Sequence, residues 1–455
     1  MKLQRFFLIS ALVCSVVFSF AQDANEKWTL EKCMDYASKN NLAIRSADIN
    51  TQINRNNYVQ SYTNLLPGIS AALSNDYSSG RQFNVAAFGV TDAASRTFSA
   101  SMGGELTLFS GLQQVHNILK SKFDLEAAKF DAEDARKTIA LNITTAFLQI
   151  MLNREILRVA ENQKAITTRQ QDAIDKRVKA GLLPEINLLD IEAQLARDES
   201  NITSSKSNFD LAILGLRLIL QVKPEDKFEV EIPELKKEVS ENLSESIALR
   251  TYNSAVITQP SILAAISRLR SAGFAKKMAW GTLSPTLSFQ GSIYDYYNNQ
   301  TKYYDSLFQS YSPDFKQQFR DQLRKGFSVT LSVPIFSKWQ RVTGIQNAKL
   351  SYQLAEIQVE QKKNALLQTI YQADADARAA ANAYFASKKS YEASKRAFDA
   401  QEKRYNAGAS SQLDYQTAKN NLATAESDML RNKYTYVFRL KVLDFYNGKT
   451  ISLNE

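Results

Sequence analysis

FSVTLSVPIF, Phe327 to Phe336, alternates: Phe327, Val329, Leu331, Val333 and Ile335 are apolar, and Ser328, Thr330, Ser332 and Pro334 stand between them. A period of two places these sets on opposite faces of a strand. PTLSFQGSIY, Pro285 to Tyr294, repeats the pattern with Leu287, Phe289 and Ile293 against Ser288, Gln290 and Ser292. Weaker alternation runs over Ile69–Tyr77 and Phe98–Phe109. Each stretch is about ten residues, the length that crosses a bilayer at the tilt of a barrel strand. An apolar face and a Ser/Thr face fit lipid on one side and water on the other, and they fit a soluble half-buried sheet as well. The ends of the strands shift the balance toward a membrane. Trp280 precedes Pro285, and Phe336 and Trp339 close the fourth strand, while Tyr294, Tyr296 and Tyr297 gather at the opposite end. Aromatic girdles at both ends of short alternating strands are what a membrane interface selects.

Outside these strands the period changes. Neither Gly nor Pro occurs from Leu112 to Ala180 or from Ile345 to Ala407. Apolar residues there recur at three and four, as in Ile139, Ile143, Phe147 and Ile150, which marks helices with one apolar stripe. A helix from Gly111 to Ala180 would be on the order of 100 Å long at about 1.5 Å per residue. Dense alanine, as in YQADADARAAANAYFASKK, favours helix and close helix packing.

The chain is duplicated in register. Phe109-Ser110 and Phe336-Ser337 lie 227 positions apart, as do Gly181 and Gly408, while Pro67 and Pro285 lie 218 apart. The nine-residue difference falls in the tract between the second pair of strands, around residues 298–325. The expected layout is a signal peptide at 1–21, then a first repeat at 22–222 with a helix, a strand pair at 67–110 and a long helical hairpin at 111–222. A linker at 223–243 leads to a second repeat at 244–447, with a strand pair at 285–337 and a hairpin at 338–447, and residues 448–455 form a tail. Pro224 and Pro233 break the helical pattern in the linker.

The chain opens with Lys2 and Arg5, an apolar run from Phe6 to Phe20 and the small residues Ser19 and Ala21, the layout of a secretory signal cut after Ala21. Val13 is too large for the residue before a lipidated Cys14. Export leaves Cys33 as the one cysteine and His116 as the one histidine, which excludes an internal disulfide and argues against zinc sites and histidine triads. No cofactor or metal is expected, and no clustered catalytic set suggests an enzyme. The formal charge of +9 is spread over interleaved Lys, Glu and Asp, which reads as solvated helix faces and not as a nucleic-acid footprint. No later segment has the roughly 18 consecutive apolar residues of a spanning helix. Four strands cannot close a barrel, and an open edge in lipid leaves backbone groups without partners, so several copies must share one barrel.

Taken together, LLP and LSP at the strand starts, LTLFSG at Leu106, LSVPIFS at Leu331 and two Arg-x-x-x-Gly turns within a duplicated layout resemble the TolC-like outer-membrane efflux family over essentially the whole mature chain. Thr107 departs from the pattern, standing where the second half has Pro334. The resemblance implies an α+β membrane protein. Its duplicated long α-hairpins and β-strand pairs would build a trimeric 12-stranded outer-membrane β-barrel, continued by a periplasmic α-helical tunnel. It also implies a homotrimer in outer-membrane lipid, a passive exit duct of a tripartite efflux or type I secretion system. Its partners would be a periplasmic adaptor (membrane fusion) protein and an inner-membrane efflux pump or ABC exporter. No Gly-x-x-x-x-Gly-Lys-Ser/Thr loop is present, so energy would come from that partner.

The same resemblance assigns the helix reversals to the periplasmic tips, with Arg177, Gly181, Leu182, Arg404, Gly408 and Ala409 in adaptor contact. Read from the residues, a helix reversal wants Gly for its positive φ, and a cation suits a helix C-terminus. At the family's acidic entrance ring, Asp414 and Thr417 stand in the second hairpin and Asn187 and Asp190 in the first, so the acidic pair is incomplete within the second hairpin. An Asp near a helix start is also what the helix dipole favours. If Asp414 lines a narrow pore, symmetric carboxylates attract cations. An exported coiled-helix structural or adhesin-like protein without a pore would explain the rods but not the strands. A periplasmic adaptor would carry one hairpin, not two.

Overall fold

The computed structural model describes residues 27–84, 88–223, 225–232 and 247–449. The expected signal peptide, most of the linker and the tail beyond 449 lie outside the described residues.

The Gly- and Pro-free tracts are continuous helices, and the two halves match element for element apart from the segment between the second pair of strands. Helix α1 (Leu30–Asn40) and α2 (Leu42–Thr63) precede the strands β1 (Gly68–Asn84) and β2 (Gly89–Phe109), then α3 (Gln113–Lys179) and α4 (Ile186–Leu220). In the second half, α5 (Ile247–Thr258) and α6 (Pro260–Gly281) precede β3 (Thr286–Asn298). The short β4 (Tyr303–Tyr304) and β5 (Ser310–Tyr311), then α7 (Phe315–Asp321) and β6 (Arg324–Ser332), lead to α8 (Gln340–Asn406) and α9 (Gln412–Tyr446). The long helices α3 and α8 have 67 residues each, and α4 and α9 have 35 each. Local chemistry sets the ends. Thr29 accepts from the Lys32 amide at 3.2 Å, Pro260 occupies the first turn of α6, and Asp314 accepts from the Gln317 amide at 2.7 Å.

By their internal contacts the described residues form two compact units, one from those within 1–45, 135–255 and 368–455, the other from those within 46–134 and 256–367. The first is helical. Its core joins Cys33, Phe147, Met151, Leu216, Leu220, Leu430 and Val437 from α1, α3, α4 and α9. Buried Asn41 ties the α1–α2 corner to this core, accepting from the Ala43 amide at 2.9 Å and donating to the Ile219 carbonyl at 2.8 Å. Trp28 pairs with Val230 in a short parallel bridge, and its ring meets Tyr36 and Phe228.

The second unit carries the sheet, antiparallel in the order β1-β2-β3-β6. Strands β1 and β2 run to 17 and 21 residues, longer than the ten expected, because the ladder continues to Asn84↔Gly89. Backbone pairing needs no apolar side chain, so this polar extension leaves no alternation to read. Register sorts the faces, since directly paired residues share one. One row is Ile69, Gly104, Gly291 and Phe327, and the next on that face is Leu106, Phe289 and Val329. The other face has Gly68, Glu105, Gln290 and Ser328, then Ser70, Gly103, Ser292 and Gly326. Thr107, the departure from the family pattern, sits at a register shift before Phe109, whereas β6 stops two residues short of Pro334. A bulge bends the first junction where Pro ends the second.

Both strand-to-helix junctions contain two successive left-handed residues, Gly111-Leu112 and Lys338-Trp339, 227 positions apart. A Cβ on Gly111 would overlap the Gly281 carbonyl oxygen, so the close approach of α6 to this turn requires glycine. No helix among the described residues is long and apolar enough to cross a membrane.

Candidate functional site

The helix reversals are built alike. The Gly181 amide donates to Val178 O at 2.9 Å and the Leu182 amide to Arg177 O at 2.9 Å. Likewise Gly408 donates to Tyr405 O at 3.0 Å and Ala409 to Arg404 O at 2.8 Å. These are paired Schellman bonds, which need a left-handed residue at the glycine, and φ is 72° and 74° there. Nothing lies where a Cβ of either glycine would go, so backbone conformation alone selects them. The arginine of each Arg-x-x-Ala-Gly supplies the accepting carbonyl, and both arginine side chains are exposed. Burial holds the Tyr405 hydroxyl above its ordinary pKa, and Arg177 of the other hairpin stands close enough to oppose part of that push. Leu182, Ile186 and Leu413 leave an exposed apolar surface at the turns.

The entrance residues are not brought together in the single chain. Ser411 caps the helix that carries Asp414: the Asp414 amide donates to Ser411 Oγ at 3.1 Å, and Ser411 Oγ donates to Asp414 Oδ2 at 2.7 Å. Thr417 donates to the Leu413 carbonyl at 2.8 Å, Asn187 is half-buried with its amide on Pro184 O, and Asp190 is exposed. Among the described residues no hydrogen bond or ion pair joins any two of the four. The first hairpin lacks such a cap, since Glu185 precedes α4 with no side-chain bond.

Above these turns the two hairpins are joined by a buried polar cluster that the sequence reading missed. Lys419 of α9 is 1% exposed. Its Nζ donates to Gln163 O of α3 at 3.2 Å and to Thr167 Oγ1, and stands 3.5 Å from Asp198 Oδ2 of α4. Thr167 donates to the same carboxylate oxygen, and Asp198 Oδ1 accepts from Gln194 Nε2 at 2.8 Å. Arg197 in turn holds Gln194 Oε1 through Nε and Nη2 at 3.1 and 2.8 Å. Burial pulls the Lys419 ammonium below its ordinary pKa, and the Asp198 carboxylate partly restores it. One turn nearer the tip, buried Tyr415 stacks between Phe398 and Tyr405. Its hydroxyl is pushed up to about 12, first by burial and then by Glu402, and Gln170 of α3 bonds it. The signal in the sequence was Tyr415-x-x-x-Lys419, a lysine on the apolar stripe of its helix.

At the sheet, Trp280, Phe336 and Trp339 are exposed at the end where the strands meet the long helices. Tyr294 and Tyr296 stand on the opposite face of β3 from Leu287, Phe289 and Ile293. Their rows contain Ala72, Ser101 and Arg324, and Ser74 and Ser99, so they lie on the Ser/Thr face and not on the apolar one. Tyr297 is the aromatic of that end on the apolar face, paired with Phe98. The period of two that runs through Leu287, Phe289 and Ile293 already leads to Tyr297.

A family model described as outer membrane efflux protein matches residues 34–220 and 251–448. The chain is 20% identical over 411 residues to the outer membrane efflux protein BepC of Brucella suis, covering 90% of this chain and 83% of that protein. It is 21% identical, over the same shares, to the toxin and drug export protein A of Aggregatibacter actinomycetemcomitans. The fold matches the Campylobacter jejuni CmeC outer membrane channel with a TM-score of 0.73 at 18% identity, over 94% of this chain and 87% of that one. It matches VceC of Vibrio cholerae with a TM-score of 0.74 at 14% identity, over 93% and 97%.

Proposed function

The chain belongs to the outer membrane efflux protein family and is an outer-membrane efflux channel, and from that premise we propose that it is the exit duct of a tripartite efflux or type I secretion system. Cargo would arrive from an inner-membrane pump or ABC exporter through a periplasmic adaptor, and the channel itself would supply no energy. One observation carries the pore: a four-stranded sheet with an apolar face, a Ser/Thr face and two unpaired edges, β1 and β6. In lipid such edges are satisfied only when another copy continues the ladder. Three copies then give a twelve-stranded barrel, in the size range of outer-membrane barrels.

The tips around Gly181 and Gly408, with exposed Leu182, Ala409, Arg177 and Arg404, are the surface this reading gives to the adaptor. Both reversals are rigid by their Schellman bonds and offer apolar side chains to a partner. Asp414, Thr417, Asn187 and Asp190 are assigned to the entrance, with Asp414 the anionic element.

Reconstitution of the full mature chain into planar bilayers tests the proposal. Discrete conductance steps are expected, and an oligomer that migrates differently on a gel after heating. A protein that stays in solution without detergent and conducts nothing would instead be a coiled-helix fibre. Asp414→Asn keeps an acceptor for Ser411 while removing the charge, so it isolates the entrance role. Reduced cation selectivity is expected, and an unchanged channel removes Asp414 from the entrance.

A further inference from the structure

The segment joining β3 to β6 holds the residues that distinguish the second strand pair from the first, and α7 is its one helix of more than a turn. Phe315 and Phe319, four apart on α7, stack on each other at 5.1 Å. Phe315 meets Phe98 at 5.8 Å and Tyr297 at 5.3 Å, and Phe319 meets Phe98 at 5.9 Å. Phe98 and Tyr297 are a directly paired couple on the apolar face, in the same alternation as Met102 and Ile293. The helix therefore lies over the outer, apolar side of the sheet and does not fold over the Ser/Thr side. A polar clamp fixes it there. Buried Gln318 accepts from the Asn298 amide at 3.0 Å and donates to Pro313 O at 3.1 Å, while Asn298 Nδ2 donates to Ser95 and Thr97.

The height of this contact is informative. From Leu287, at the lower end of the apolar face, to Tyr297 is ten steps along β3. At about 3.3 Å per step that is ~33 Å of strand, or roughly 23 Å along the membrane normal at a tilt of ~45°. An outer-membrane barrel presents an apolar band about 25 Å tall. Helix α7 thus sits at the upper boundary of that band. Phe315 remains half exposed although its ring is packed, and Lys316 is exposed on the same helix, whereas the exposed Arg320 pairs with Asp321 at 3.0 Å. Lys325 belongs to the apolar face itself, paired with Ile293, and from there the upper polar layer is the nearer one for its ammonium to reach.

We infer that α7 is an interfacial collar: it lies in the headgroup layer of the outer leaflet, with Phe315 toward the acyl chains and Lys316 and Lys325 toward anionic lipid headgroups. Its apolar side packs on Phe98 and Tyr297 at the top of the lipid-facing side, above the buried Asp295 on the same face, and Lys316 and Lys325 suit a negatively charged leaflet. The collar rests on the barrel standing in the membrane, so the experiment must report the two separately.

The test uses the full mature chain in phosphatidylcholine vesicles, with and without brominated acyl chains, and compares Phe315→Trp with the wild type. Native Trp280 and Trp339, at the opposite end of the strands, report whether the barrel itself has inserted. With the barrel inserted, the added tryptophan should lose about half its emission to brominated lipid, as a side chain at the headgroup–acyl boundary does, and should be shielded from aqueous iodide. Quenching by iodide without quenching by brominated lipid would place the segment in water and overturn the proposal. Shielding from both would mean that protein, such as a second copy, covers α7, and also overturns it. Should Phe315→Trp fail to assemble, a nitroxide on Lys316→Cys in a Cys33→Ser background reads the same position without touching the aromatic packing. Collision with oxygen above that with a water-soluble nickel chelate is expected there, and the reverse order rejects the collar.

Discussion

Lys419 is ion-paired across a helical interface with a carboxylate that is itself nearly sealed from water, with side-chain exposures of 1% and 6%. Removing one partner of such a pair strands the other charge in a low-dielectric site, which costs about 3–5 kcal/mol, whereas replacing both with apolar groups is often neutral. Lys419→Ala should therefore speed amide hydrogen exchange over the start of α9, and Lys419→Met combined with Asp198→Leu should restore most of the protection. Equal exchange in wild type and Lys419→Ala would show that the cluster does not hold the hairpins together. A second residue-level effect is alkaline. Burial pushes the Tyr415 and Tyr434 hydroxyls from 10.0 up to about 12, and the Cys33 thiol from 9.0 up to about 12. In that range the unfolded chain has released protons that the folded one keeps, so the stability these groups contribute is complete below about pH 9 and is lost as pH rises through 12. The thermal midpoint should fall across this window, and Tyr415→Phe should lessen the part of the fall above pH 10.

At the scale of elements, the glycines separate conformation from space. Gly181→Ala asks an L-residue to hold φ near 72° with open surroundings, a cost of about 1–2 kcal/mol. Gly281→Ala would drive a Cβ into the Gly111 carbonyl oxygen and the Gln113 side chain, and a backbone oxygen cannot rotate away. The second substitution should lower the thermal midpoint more than the first, although Gly281 ends a regular helix and Gly181 a strained turn. Circular dichroism melts of the two variants would settle the order. The sheet shows the same division between local and spatial causes: the bulge at Thr107–Phe109 and the stop before Pro334 are different local answers to one requirement, that a strand turn into a long helix.

Across the molecule the duplication points to how copies meet. Within one chain, α3 packs on α6: Ser271 Oγ donates to Asp124 Oδ1 at 2.5 Å, Arg268 pairs with Asp131, and Phe123 stacks on Phe274 at 5.6 Å. The residues 227 positions after Phe123 and Ala127 are Leu350 and Leu354 of α8, and those 218 before Ser267 and Ser271 are Ile49 and Ile53 of α2. Ala127, Ser267 and Ser271 are buried, whereas all four counterparts are exposed, Leu354 by 56%. An interface used inside the chain is thus left open at the matching site, with four apolar side chains ready for it. Leu354→Asp should weaken oligomerisation, forfeiting about 1.5–3 kcal/mol of leucine burial per contact and adding an unpaired charge. A gel run in mild detergent would show monomer, and an intact oligomer would exclude α8 from the contact.

How far the sequence determines this protein depends on the range of the interaction involved. Periodicity, Gly and Pro placement and the offsets of 227 and 218 are local or self-referential, so the rods, the reversals at Gly181 and Gly408 and the apolar face from Leu287 to Leu331 follow from the chain alone. The arrival of Thr167, Asp198 and Lys419 at one point does not, because residues 31 and 252 positions apart in sequence meet only through the packing of three helices. Nor does the hydrogen bond from Ser411 to the Asp414 carboxylate, made once the turn is formed. The polar extensions of β1 and β2 and the seat of α7 on Phe98 and Tyr297 were likewise decided in three dimensions. Backbone ladders and aromatic contacts leave no period in the sequence, and a buried polar side chain is recognisable only when the partner that satisfies it is in place.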